Sequence, residues 1–371
     1  MRISPVLAGL RAYPFVRLAD ARRRLSAAGV QVIDFGVGEP REETPAFIRE
    51  ALAVDPLSKY PAADGLPELR EAIAAWVGRR FGTALDPETE VVPTFGSKEA
   101  VFHLAQVLDG ELVVVPQPAY PVYERGAAFA GKAVFSLPLE AGNGFLPDLD
   151  AVPEAIWRRT AVLWLNYPNN PTAATAPPAL YERAAALARE HDFVLASDEA
   201  YSELYFGPDP PASALELPDR TNVAVFNTLS KRSSMPGYRS GFVAGDAELV
   251  GALKRYRPNV GVAPPEFIQQ VAALAWGDEA HVAEVRDLYR AKRDVLVPAL
   301  EARGLRHVGG DATFFLWLAG AADGEHERLL EQGIVLAPGS YFGPAGEGYL
   351  RLALVPTLAE CERAAALLAA V

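Results

Sequence analysis

Between Val91 and Asp246 short apolar runs alternate with segments whose apolar residues recur every three or four positions. The runs "VVPTF", "ELVVVPQ", "KAVFSLPL", "TAVLWLNY", "FVLASDEAY", "NVAVFNTLS" and "GFVAGD" read as strands. Segments such as "SKEAVFHLAQVL" and "PPALYERAAALAREHD" read as helices between them. Strands that are apolar along their whole length need cover on both faces, so this grammar predicts a doubly wound α/β core around a mostly parallel sheet.

After Pro264 and Pro265 the grammar changes. One long helical pattern, "DEAHVAEVRDLYRAKRDVLVPALEARG", precedes the strand candidates "TFFLWLA", "GIVLAPG" and "GYLRLALVP" and a last helix, "TLAECERAAALLAAV". The 371 residues exceed a usual single domain. The expectation is a large domain over residues 45–264 and a smaller α+β domain made of residues 1–44 and 265–371, with the ligand site in the cleft between them.

A formal charge of −12 and a pI near 5.0 speak against nucleic acid or an anionic membrane as partner, and for small molecules. Cys361 is the single cysteine and there are five scattered histidines, so no Cys/His metal site is expected. The start "MRISPVLAGLRAYPF" lacks the apolar core of a signal peptide, which suggests a cytoplasmic protein.

Lys231 follows the strand "NVAVFNTLS", at the carboxyl end where open α/β sheets gather ligands. Thr228 and Ser230 beside it offer hydroxyls, and Arg239 offers a planar fork suited to a phosphate dianion. Upstream, Gly96, Ser97 and Lys98 turn from a strand into a helix whose free N–H groups attract anions. Asp198 ends an apolar strand, where a carboxylate needs a cation or hydrogen bonds. A phosphate cradle, a lysine amine, a carboxylate for a ring nitrogen and an Asn/Tyr pair for a phenolic oxygen together describe pyridoxal 5′-phosphate.

At this point "NNPT", "DEAY" and "SKRSSMPGYR", in this order, resemble the fold-type I, class I/II aminotransferase family. The resemblance runs from "VIDFGVGEP" to "YLRLALVPT". It implies that Lys231 binds the cofactor covalently and then acts as acid and base, while Asp198 pairs with the pyridine nitrogen. Asn170 and Tyr201 would hydrogen-bond the phenolic oxygen, Tyr120 would stack on the ring, and Gly96, Ser97, Lys98, Thr228, Ser230 and Arg239 would hold the phosphate. Arg351 and Gly38, with Asn170, would bind the substrate. Tyr60 would reach the phosphate of a neighbouring subunit, which implies a homodimer with shared active sites.

Two positions depart from the family pattern: Ala173 stands where glycine is common and Arg41 where an aspartate is frequent. The first raises a question of backbone geometry, since alanine resists positive φ. Within the family the wording is most similar to the N-succinyldiaminopimelate aminotransferase branch, with glutamate as partner donor. A distal succinyl carboxylate would need a second cation, for which Arg41, Lys98, Arg232, Lys254, Arg255 and Arg257 are candidates. Aspartate or aromatic aminotransferases and a carbon–sulfur lyase would share the same cofactor apparatus. A regulator that uses this fold as a sensor is disfavoured, because no helix-turn-helix segment precedes the fold and the chain is acidic.

Overall fold

The computed structural model describes residues 1–10, 15–54, 59–322 and 324–369, with the backbone alone at 15, 17 and 21. Residues 11–14 of the opening segment and 370–371 of the last predicted helix lie outside the described residues. The strands are β1 (Ile33–Asp34), β2 (Val91–Phe95), β3 (Leu112–Gln117), β4 (Ala133–Pro138), β5 (Thr160–Asn166), β6 (Val194–Asp198), β7 (Val223–Thr228) and β8 (Ser240–Gly245). They continue with β9 (Arg306–His307), β10 (Phe315–Ala319), β11 (Ile334–Val335), β12 (Ala337–Pro338) and β13 (Leu350–Ala353).

Seven strands form the central sheet in the order β2-β8-β7-β6-β5-β3-β4. Only β8 runs against its neighbours. Strands β3, β5 and β7 are buried at every residue, which is why they read as unbroken apolar runs. Side chains still alternate between faces. Val223 and Val225 join the cluster containing Trp76, Tyr181 and Trp276, while Ala224 and Phe226 join the one containing Val101, Tyr123 and Leu253. Strand β3 pairs with β4 on one side and β5 on the other, so the order reverses there and a crevice opens at the carboxyl ends of β3 and β5.

The second sheet, β12-β13-β10-β9, is antiparallel. It shares a core with the helices Ala280–Ala302 and Leu358–Ala369, through residues such as Leu296, Leu316, Leu352 and Leu368. The run "GIVLAPG" is not one strand as expected. It splits at Leu336, so that β11 pairs in parallel with β1 while β12 pairs with β13. Pro338 has no N–H to donate, which suits the edge position it takes there. The β1–β11 pair is the link that carries residues 33–38 toward the ends of the central strands.

Several predicted strands stop short, and two of them stop at residues singled out above. Strand β6 ends at Asp198, and β7 ends at Thr228, whose hydroxyl accepts the Ser230 N–H and caps the single helical turn Leu229–Arg232. Ala173 does adopt the left-handed backbone, at φ 62°, held by its N–H donating to the Asn169 carbonyl at 2.8 Å. No described helix is long and apolar enough to cross a membrane.

Candidate active site

A cavity of about 280 Å³ lies at the carboxyl ends of β3, β5, β6 and β7, closed on one side by the loop after β1 and by β13. Lys231 projects into it from the capped turn. Its Nζ donates to the Gly38 carbonyl at 2.8 Å and lies 5.3 Å from the centre of the Phe314 ring and 5.9 Å from that of Tyr201. Burial disfavours the ammonium, and the Arg351 guanidinium pushes in the same direction, so the pKa falls to about 8. Glu39 and Asp198 oppose that shift without reversing it.

Asp198 faces the same cavity, and burial raises its pKa to about 6. The Tyr123 hydroxyl donates to its Oδ2 at 2.7 Å and the Ala200 N–H to its Oδ1 at 3.3 Å, and both favour the carboxylate. Asn166, at the end of β5 and directly across from Asp198 in the sheet, donates to the Asp198 carbonyl at 2.7 Å and accepts the Asn170 N–H at 2.9 Å. Tyr123 stacks on Trp164 with ring centres 4.7 Å apart and meets Tyr120 edge-on. Tyr120 and Tyr201 also line the cavity, Tyr201 wedged edge-on between Phe314 and Phe315.

At one end the lining is rich in donors: Ser97, Lys98, Thr228, Ser230 and Arg239. Gly96 stands just behind at φ 68°, and a Cβ there would come within 2.3 Å of Arg239 Nη2. The guanidinium therefore packs closely against the glycine, its Nη1 donating to the Pro236 carbonyl at 2.8 Å. Burial together with Arg239 and Arg125 lowers the Lys98 pKa, as expected where cations are gathered ahead of an anion.

At the other end Arg351 is buried between Phe315 and Phe342, whose ring centres lie 4.2 and 4.5 Å from its Cζ. It donates to Asn170 Oδ1 at 2.9 Å and to the Gly36 carbonyl at 2.7 Å. Gly38 completes this wall, with room for no side chain because a Cβ would meet the Phe315 ring at 2.7 Å.

The family model for aminotransferases of class I and II matches residues 30–368. The chain belongs to the class I and II aminotransferases. It is 41% identical over 359 residues to an LL-diaminopimelate aminotransferase of Aquifex aeolicus, covering 93% of each chain. A probable N-succinyldiaminopimelate aminotransferase of Thermus thermophilus is similar in structure, with a TM-score of 0.88 and 34% identity over 96% of this chain and 99% of that one. A mutant aspartate aminotransferase of Thermus thermophilus matches with a TM-score of 0.91 and 31% identity over 100% and 99%.

Class I and II aminotransferases depend on pyridoxal 5′-phosphate, and the chemistry of this donor set fits that group. Hydroxyls and cations suited to a phosphate stand at one end, a buried carboxyl stands on β6, and a lysine amine of lowered pKa lies in the same cavity as the buried Arg351.

In this aminotransferase the cavity collects twelve of the predicted site residues. Gly96 stands one layer behind, and Tyr60 is fully exposed and away from it. Five of the six candidate cations for a distal carboxylate do not line the cavity and are committed or turned elsewhere. Arg232 is buried against Trp76 and Trp276, Arg257 is buried against Glu99, Lys254 binds the Glu88 carbonyl, and Arg255 is exposed. Arg41 is tied to Asp34, donating to its carbonyl at 3.1 Å. Lys98 alone of the six lines the cavity.

Sequence reasoning missed Tyr123, Asn166, Phe315 and Phe342. The first two carried a signal. Tyr123 lies three residues after Tyr120 at the start of a helix, and Asn166 is the polar end of an otherwise apolar strand. The two phenylalanines carried none, because they reach Arg351 from separate elements.

Proposed function

We propose that this aminotransferase exchanges an amino group between glutamate and the keto acid of a diaminopimelate-type substrate in lysine biosynthesis, by two half-reactions that share one site. The observation that carries α-amino-acid transamination is the buried Arg351, aimed into the cavity that holds the Lys231 amine. A planar guanidinium stacked between two rings and steadied by Asn170 binds an α-carboxylate in one orientation, which directs the Cα–H toward Lys231.

Lys231 Nζ would take the proton from Cα and return one on the opposite leg, a role suited to an amine with pKa near 8. Asp198, ionised above about pH 6, would hold a proton on the ring nitrogen. Tyr201 and Asn170 would bind the phenolic oxygen, Tyr120 would cover the ring, and Ser97, Lys98, Thr228, Ser230 and Arg239 would hold the phosphate against Gly96. Pyridoxal phosphate, when bound, supplies an electron-withdrawing ring that accepts the electron pair left at Cα. The surrounding aromatic side chains keep water from the reacting carbon.

The diaminopimelate class is supported by the Aquifex relative, and the N-succinylated form by the wording of the sequence and by the Thermus neighbour. A second reading, aspartate transamination, is favoured by the likeness to the Thermus aspartate enzyme. A kcat/KM panel with glutamate as donor and N-succinyl-2-amino-6-ketopimelate, oxaloacetate and an aromatic keto acid separates them, with LL-diaminopimelate as donor to 2-oxoglutarate in a parallel assay. Preference for oxaloacetate or the aromatic acid overturns the diaminopimelate reading. Preference for free LL-diaminopimelate overturns only the succinyl group.

The exposed Tyr60 supports a homodimer in which each chain completes the other's phosphate site. Sedimentation that finds an active monomer overturns it.

A further inference from the structure

The motif "WGDEAH" has no part in the chemistry above, yet three of its side chains hold the residues that follow Lys231. Arg232 is 1% exposed, with its Cζ 4.7 Å from the Trp276 ring centre and 5.4 Å from that of Trp76. It donates to the Ala275 carbonyl at 2.9 Å and to Glu279 Oε1 at 2.8 Å. Ser233 Oγ lies 2.8 Å from His281 Nε2, and His281 Nδ1 lies 2.6 Å from Asp278 Oδ1. Ser234 sits in the left-handed region at φ 49°, its carbonyl accepting the Thr44 hydroxyl at 2.7 Å.

Asp278, His281 and Ser233 have the connectivity of a hydrolytic triad, but Ser233 is wholly buried and no substrate carbonyl can reach it. The arrangement has a different use. With Nδ1–H donating to Asp278, the neutral imidazole accepts the Ser233 hydroxyl at Nε2. Burial and Arg232 both favour this neutral form, against the pull of Asp278 and Glu284, and the Phe47 ring covers the imidazole with centres 5.5 Å apart. A non-glycine residue at positive φ persists only where its surroundings hold it, as they do at Ser234.

We propose that Asp278, Glu279 and His281 form a positioning clamp that fixes the backbone directly after Lys231, and so sets where its amine stands in the cavity. Asp278 follows the helix Glu266–Gly277 and Glu279 precedes the helix Ala280–Ala302, where Asp278 Oδ1 also accepts the His281 N–H at 3.0 Å. The clamp therefore joins the lysine turn to the junction of those two helices. It rests on the reading of Lys231 as the cofactor-bearing residue.

The test compares wild type with His281→Phe, Ser233→Ala, Asp278→Ala and Asp278→Asn. His281→Phe is expected to lower kcat about tenfold or more while KM for the amino donor changes less than about twofold, since a small displacement of a reacting group is felt in the chemical step. The pH midpoint of the bound cofactor's visible absorbance should move with it. Amides 231–235 of the cofactor-free chain should exchange about tenfold faster, with amides 199–204 unchanged. Ser233→Ala and Asp278→Ala should shift in the same direction, and Asp278→Asn, which can still accept from Nδ1–H, should restore wild-type behaviour. Asp278 is half exposed, so its alanine variant carries the test if His281→Phe does not fold. Folded variants with wild-type kcat, absorbance midpoint and exchange overturn the clamp. A wild type that never acquires the absorbance overturns the reading of Lys231 instead, and the exchange measurement still decides the clamp.

Discussion

Lys231 Nζ donates a 2.8 Å hydrogen bond to the carbonyl of Gly38, 193 residues earlier in the chain. The contact exists because the β1–β11 pair carries the glycine loop to the end of the central sheet, where Arg351 binds the Gly36 carbonyl as well. A backbone carbonyl thus receives the amine, and the loop that supplies it also holds the Arg351 guanidinium.

The lysine amine should titrate near pH 8. Uptake of pyridoxal phosphate by the cofactor-free protein is expected to quicken with a midpoint there, well below the 10.5 of an ordinary lysine. Because the folded pKa is depressed, the burial penalty is present in full below pH 8 and is relieved between 8 and 10.5. Lys231→Met should therefore melt at or above the wild-type temperature at pH 7 while losing colour and activity. Thermal melts and visible spectra check both.

Asp198→Asn should cut kcat by about 10²–10³, the range for removing one preorganised charge. The same change should stabilise the cofactor-free protein. The folded pKa of Asp198 is raised from 3.8 to about 6, so its penalty is full above pH 6 and is lost as pH falls toward 3.8. Urea midpoints of variant and wild type should accordingly lie further apart at pH 7.5 than at pH 4.

Arg351→Lys keeps the charge but loses the planar fork and its two ring contacts. Charged hydrogen bonds of this kind contribute roughly 1.5–3 kcal/mol, so kcat/KM for every α-amino donor should fall about 10–100-fold. An unchanged kcat/KM across donors would remove Arg351 from substrate binding.

Gly96→Ala places a methyl 2.3 Å from Arg239 Nη2 at a φ of 68°, which alanine adopts at a cost of about 1–2 kcal/mol. Displacing the guanidinium should weaken retention of pyridoxal phosphate, read by absorbance titration. kcat at saturating cofactor should change far less, because Lys231 and Asp198 are untouched.

Much of this site was legible along the chain. Lys231, Asp198, Thr228 and Arg239 stand at or just beyond strand ends that period-two and period-3.6 patterns locate, and a hydroxyl–lysine–arginine spacing is a local signal. The strand ends themselves were read two or three residues too far at β6 and β7, because "AY" and "LS" continue the chain in small or apolar residues. Tyr123 and Asn166 were within reach of closer attention. Arg232 and Arg257 looked like free cations because sequence does not show that Trp276 and Glu99 already hold them.

The sequence by itself determined the layered α/β plan, the change of grammar after Pro265 and the position of Lys231 just past a central strand. Each follows from the periodicity and chemistry of neighbouring residues. Only the tertiary structure decided which distant groups meet. Arg351 binds Asn170 across 181 positions and Tyr123 binds Asp198 across 75. The depressed Lys231 pKa likewise depends on Arg351 and on burial by several elements at once. Strand order and the β1–β11 pairing fix these contacts, and hydropathy patterns within a strand carry no record of which strand will lie beside it.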